Sequence, residues 1–219
     1  MEFFDIDNIL FYAWNYPVSY LEFFGLVSGV VAVVLSSLAN VWSWPLGIIN
    51  VTLSFFLFYQ VQLYPDMFLQ VFFLITNVIG WWRWTHPQKF EEDRKHELKV
   101  SSATRKDFVV ILIIGFSGTY AFGTLAANLH TLLPELFTEP SAYPFVDSFI
   151  TVMSIIATYY MIQKKIESWL IWLLVDIVAT YIYFVRDIKL YSILYLVFCF
   201  IAAFGYWNWI REKRSYQFS

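Results

Sequence analysis

Seven stretches of about twenty residues, each almost free of charge, constrain this chain more than any other feature. They run over 21–40, 44–62, 65–84, 108–129, 144–163, 169–184 and 190–210. A helix needs about 20 mostly apolar residues to cross the hydrocarbon of a bilayer. The pattern therefore predicts an all-α membrane protein with seven transmembrane helices. A soluble globule is excluded, because 59% of the 219 residues are hydrophobic and only 14% are charged. An ordinary soluble domain is about a quarter charged. The same greasiness excludes a disordered chain.

The remaining composition narrows the chemistry. One cysteine, Cys199, excludes a disulfide scaffold and a cysteine-based zinc site. The histidines His86, His96 and His130 are scattered, so no metal is expected. A net charge of −3 leaves no basic surplus for nucleic acid. No Gly-x-x-x-x-Gly-Lys loop occurs, and no catalytic constellation falls within the spans, so neither a cofactor nor an enzyme activity is expected. The first twenty residues carry Glu2, Asp5 and Asp7 without a cation, which is the wrong sign for a signal peptide. Their aromatics, Trp14 among them, suit either a short amphipathic helix in the outer interface or a tail.

Basic residues set the expected orientation. Arg83 and the 85–107 loop, Lys164 and Lys165, and the 211–219 tail together hold twelve of the fourteen Lys and Arg. Placing those segments in the cytoplasm of a bacterial inner membrane puts the N-terminus outside and the C-terminus inside. Only Arg186 and Lys189 then face outward. The tryptophans at span ends, Trp42, Trp44, Trp81, Trp82, Trp84, Trp207 and Trp209, match interfacial belts.

The chain also meets itself at an offset of 125 residues. Ser43-Trp44 lands on Ser168-Trp169, Gly80-Trp81-Trp82-Arg83-Trp84 on Gly205-Tyr206-Trp207-Asn208-Trp209, and Glu22 on Asp147. The expected organisation is an outer segment (1–20), a three-helix repeat (21–84), a cytoplasmic loop (85–107), a linker helix (108–130), a second repeat (144–210) and a tail (211–219). Three spans plus one make the repeat parallel, a 3+1+3 arrangement. Repeats of this kind recur in transporters that bind substrate between their halves. A seven-helix receptor is the competing class, and the duplication argues against it.

Polar residues inside spans are costly and usually face an interior. Ser36, Ser37, Ser54 and Thr180 are read as bonding their own backbone or joining helices to one another. Asn50, Gln70 and Asn77 line polar stripes on spans two and three, and Asp66 sits near an interface. Tyr183 shares the sixth span's polar face, while Tyr191, Tyr195 and Cys199 share one on the seventh. Asp176 stands apart. It lies mid-span, one turn from Trp172, and no basic residue in any span offers it a partner. An aromatic cation would supply both a counter-charge and a face for the indole. Glu22 and Asp147 sit at helix starts, where they cap or rim an outer vestibule. Trp44 and Trp169 are gating candidates.

Four motifs bring a family into view: Pro45-Leu-Gly-Ile-Ile-Asn50-Val-Thr, Gln62-Leu-Tyr-Pro-Asp-Met-Phe-Leu-Gln70-Val, Asn77-Val-Ile-Gly80-Trp-Trp-Arg-Trp84 and Trp169-Leu-Ile-Trp172. With them the sequence resembles the Pnu family of bacterial vitamin transporters over nearly its whole length. The resemblance implies a fold related to the sugar transporters of the SWEET type. It also implies homotrimers, and facilitated diffusion with phosphorylation by a cytoplasmic kinase trapping the product. Nicotinamide riboside transporters of the family carry Trp-x-x-x-Asn on the sixth span, whereas this chain reads Trp172-Leu-Leu-Val-Asp176. An ionised carboxylate only accepts hydrogen bonds. It suits the amino group of an aminopyrimidine better than the paired donor and acceptor of a carboxamide. Thiamine is therefore the first expected substrate and nicotinamide riboside the alternative; a riboflavin-type substrate, lacking the positive charge, ranks third.

Overall fold

The computed structural model describes residues 4–13, 16–60, 62, 64–132, 141–187 and 189–216. Trp14 and the side chains of Asp66 and Tyr191 lie outside what is described. Among the described residues seven long helices follow one short hairpin: β1 (Ile9–Ala13), β2 (Tyr16–Ser19), α1 (Tyr20–Ser37), α2 (Ser43–Gln60), α3 (Tyr64–Thr85), α4 (Arg105–Leu132), α5 (Pro144–Ile162), α6 (Glu167–Val185) and α7 (Lys189–Ser215). Among the described residues five segments are long and apolar enough to cross a membrane: α1, α4, α5, α6 and Ser192–Ser215 within α7. Asn50 in α2, Gln70 and Asn77 in α3, and the tryptophans of both lower their hydropathy and keep them out of that group.

The N-terminal segment departs from both readings of the sequence. It is neither a helix nor a loose tail, because Ile9–Ala13 and Tyr16–Ser19 pair as antiparallel strands. Aromatic and β-branched side chains favour such pairing. The hairpin packs on α1, where the Phe11 and Phe23 rings meet edge-on at 5.7 Å. Gln60 ties the preceding turn to the end of α2, accepting from the Ile6 N–H at 2.9 Å and donating to the Phe4 carbonyl at 2.6 Å.

The chain forms two compact units, Met1–Lys99 and Val100–Ser219. In the first, α1 packs on α2 and α2 on α3; in the second, α4, α5, α6 and α7 pack in sequential pairs. Thus the fourth helix groups with the last three. Gly115 and Gly118 present their bare faces to Met153 and Val152 and let α4 approach α5 closely. Around that contact Ile111, Val152, Ile156, Ala157, Tyr160, Ile171 and Val175 form the core of the second unit. The outer faces stay apolar: Phe116 is 83% exposed and Phe200 70%. Such surface belongs in lipid.

The two units use the same turns at equivalent positions. Ala39 and Lys164 both take a left-handed φ, 55° and 52°, at the first helix-to-helix turn of each three-helix set. Gln62 and Asp187 do so at the second, both at 60°. The Asn40 N–H donates to the Leu35 carbonyl at 3.0 Å, and the Lys165 N–H to the Tyr160 carbonyl at 2.9 Å.

Candidate functional site

Helix α6 carries Trp172, Asp176, Thr180 and Tyr183 along one side, at spacings that align them on a 3.6-residue helix. Val175 and Ile171 turn toward the core of the second unit, and Trp172 packs half-buried against it. Asp176 is only 4% exposed. Among the described residues its carboxyl has neither an ion-pair nor a hydrogen-bond partner; only its backbone carbonyl is engaged, accepting from the Thr180 hydroxyl at 2.7 Å. Cys199 of α7 lies beside it, close to Thr180 as well. An uncompensated carboxylate inside a protein costs several kcal/mol, and no counter-charge for it is found among the described residues.

Farther along the same seam the Tyr183 and Tyr195 rings stack, 5.3 Å apart and 8° from parallel. The Ser192 hydroxyl donates to the Thr180 carbonyl at 2.9 Å and joins α7 to α6. A cleft of about 490 Å³ opens near this end, lined by Ile177, Thr180, Tyr181, Phe184, Ser192, Ile193 and Leu196. The hydroxyls of Thr180 and Ser192 are spent on backbone carbonyls, and neither Trp172 nor Asp176 borders the cleft. The cleft therefore offers a cation no counter-charge.

The first unit places its polar residues differently. The Asn50 amide donates across to the Gly25 carbonyl of α1 at 2.8 Å. The Asn77 amide donates to the Phe73 carbonyl of its own helix at 2.8 Å, with its oxygen against Gly47 of α2. Asn50 thus ties α2 to α1, while Asn77 bonds within α3 and packs its amide against α2. Gln70 sits half-buried on α3, two turns before Asn77.

The acids at the helix starts both have partners. Glu22 closes a capping box with Ser19 and accepts from the Tyr16 hydroxyl at 2.7 Å. Asp147 accepts from Arg186 at 2.7 Å, and that guanidinium also lies 4.9 Å above the Tyr143 ring. Sequence reasoning missed this pair. The signal was available, since antiparallel neighbours α5 and α6 bring the start of one beside the end of the other.

Trp44 and Trp169 are deeply buried, 6% and 2% exposed. Trp44 stands edge-on to Trp84 at 5.3 Å, and Trp169 edge-on to Trp209 at 5.6 Å. Gly80 and Gly205 make room for the two indoles; a Cβ on Gly205 would sit 2.6 Å from the Trp169 ring. The belt reading fails for Trp44, Trp84 and Trp209, because large rings at a helix crossing gain more by filling the core. It fits Trp42, Trp82 and Trp207, which are more than half exposed, and Trp81 at 43%. Among the described residues the buried N–H groups of Trp44 and Trp169 lack acceptors.

Comparison with known proteins agrees with this architecture. A family model described as nicotinamide mononucleotide transporter matches residues 19–211. The nicotinamide riboside transporter PnuC of Escherichia coli (strain K12) is 33% identical over a 233-residue alignment covering 98% of this chain and 97% of that protein. The riboflavin/roseoflavin transporter RibM of Streptomyces davaonensis is 22% identical, covering 96% and 94%. A solved structure, the crystal structure of the vitamin B3 transporter PnuC, shares the fold at a TM-score of 0.67 and 23% identity, covering 90% of this chain and 83% of that one. With the family match reaching from the cap of α1 to the end of α7, this chain belongs to the nicotinamide mononucleotide transporter family, the Pnu membrane transporters of vitamins.

Proposed function

We propose that this protein takes up nicotinamide riboside through a seven-span, 3+1+3 parallel repeat with its N-terminus outside. The observation that carries the reading is the buried carboxyl of Asp176, unpartnered among the described residues and one helical turn from Trp172. The pyridinium of nicotinamide riboside supplies the missing positive charge, and its ring suits the indole face. Tyr183 and Tyr195 extend the aromatic wall. The E. coli relative, matched over almost the whole chain and named a nicotinamide riboside transporter, moves this substrate ahead of thiamine. The matched turns and buried tryptophan pairs support the duplication. Transport by facilitated diffusion, with phosphorylation inside trapping the product, completes the proposal. Calorimetry on the purified protein with nicotinamide riboside, thiamine and riboflavin tests it. Binding of nicotinamide riboside in preference to the others is expected, and silence toward it overturns the reading.

Thiamine remains the second reading because of one feature. The family's nicotinamide riboside branch resembles Trp-x-x-x-Asn, and the carboxylate at position 176 accepts hydrogen bonds without donating any. It matches an exocyclic amine better than a carboxamide. The same titration decides between the two vitamins.

A further inference from the structure

One end of the second unit holds more positive charge than its acids neutralise. It gathers the approach to α4, the turn between α5 and α6, and the end of α7. Segments 100–107, 164–168 and 211–216 hold seven Lys and Arg against three acids. Each acid is engaged: Asp107 accepts from the Thr104 hydroxyl at 2.8 Å, Glu167 from the Ala103 N–H at 2.6 Å, and Glu212 from the Tyr216 hydroxyl at 3.4 Å.

Two ammonium groups converge on Ser102. Lys165 Nζ donates to its carbonyl at 3.2 Å and Lys213 Nζ to its Oγ at 2.6 Å. Neither lysine forms an ion pair among the described residues, and Lys165 feels the field of Asp107 without bonding it. An ammonium carries three donors, so each keeps N–H groups to spare, and the Ser102 hydroxyl keeps its own proton to donate. The platform is fastened by backbone. The Ser101 N–H donates to the Lys164 carbonyl at 3.0 Å, and the Ile166 N–H to the Ser101 carbonyl at 2.9 Å. Like-charged side chains held together without a counter-ion mark a place for an anion.

We propose that Ser102, Lys165 and Lys213 bind the phosphodiester headgroup of an anionic phospholipid. The surroundings favour a lipid over a free phosphate. Phe108 and Val109, 47% and 55% exposed, begin the apolar face of α4 just beyond the cations. On α7 the half-exposed Trp207 lies under the Arg211 guanidinium, 4.5 Å from its centroid, as an interfacial aromatic does. A headgroup on the lysines would lay its acyl chains along that surface. Basic pockets at helix ends are a recurrent means of holding anionic lipids.

The test reads lipid retained by the full-length purified protein in native mass spectrometry, after incubation with phosphatidylglycerol or phosphatidylcholine. Phosphatidylglycerol is expected to stay bound and phosphatidylcholine to wash off. Lys165→Ala with Lys213→Ala should weaken retention about thirtyfold, taking about a factor of five per cation at a membrane surface. The arginine pair at the same positions should preserve it. Lys89→Ala with Lys95→Ala, which removes as much charge elsewhere, should leave it unchanged. If the double alanine variant fails to fold, Lys213→Gln alone is read, with about a fivefold loss expected. Equal retention of both lipids, or full retention by the lysine variants, overturns the site. Displacement of phosphatidylglycerol by millimolar inorganic phosphate overturns the lipid assignment in favour of a free phosphate.

Discussion

The sixth helix and its counterpart, the second, share a scaffold and differ in chemistry. Both carry Ser-Trp in the first turn, and both bury that tryptophan against a glycine and a second tryptophan. One turn farther the parallel breaks. Where α6 has Trp172, α2 has Gly47, and where α7 has the small Ala202, α3 has Asn77. In the first unit Asn77 fills the space left by Gly47. In the second a large indole rises from the sixth helix itself. At the next turn α2 buries Val51, 5% exposed, in the position where α6 buries Asp176. The two units thus share their helix crossings and differ in what they hold. The first unit bonds its asparagine amides to backbone carbonyls, and the second buries a carboxyl that has no partner among the described residues.

Exchanging those residues gives the sharpest tests. Val51→Asp puts a carboxyl where nothing balances it and should destabilise the protein by about 3–5 kcal/mol in thermal or denaturant unfolding. Asp176→Val should do the reverse to stability while abolishing vitamin binding. A lower melting temperature for Asp176→Val would instead make the acid structural. Adding a side chain beneath either indole, by Gly80→Val or Gly205→Val, overpacks the crossing and should cost about 1–3 kcal/mol. Similar losses in both copies are expected, and a loss confined to one would break the equivalence. Trp172→Ala should weaken calorimetric affinity about tenfold, since a desolvated cation over an indole is worth about 1–2 kcal/mol. The smallest effect belongs to Arg186→Ala. Its pair with Asp147 is 27% and 42% exposed, and such pairs contribute about 0–1 kcal/mol.

Much of the fold was legible in linear order. Long apolar runs specify helices and a membrane-type class, because hydrocarbon leaves the backbone few other ways to satisfy itself. The hydroxyls of Ser37 and Thr180, read as bonding their own helices, do so to Val34 and Asp176. Two features were hidden. The N-terminal hairpin lacks a long enough alternation to separate it from an amphipathic segment. The buried state of Trp84 and Trp209, 0% exposed, was obscured because a tryptophan at a span end suits water, lipid or core equally well until its neighbour is known.

By itself, then, the amino-acid order determined the class, the helices and the 125-residue echo, since each depends on composition and spacing along one strand of chain. Tertiary structure decided the partners. It joined Asn50 to the Gly25 carbonyl, Asp147 to Arg186 and two lysines to Ser102, and it left the Asp176 carboxyl with none among the described residues. The physical reason is that a polar group's energy depends on the atom it faces. That is fixed only when one helix packs against another.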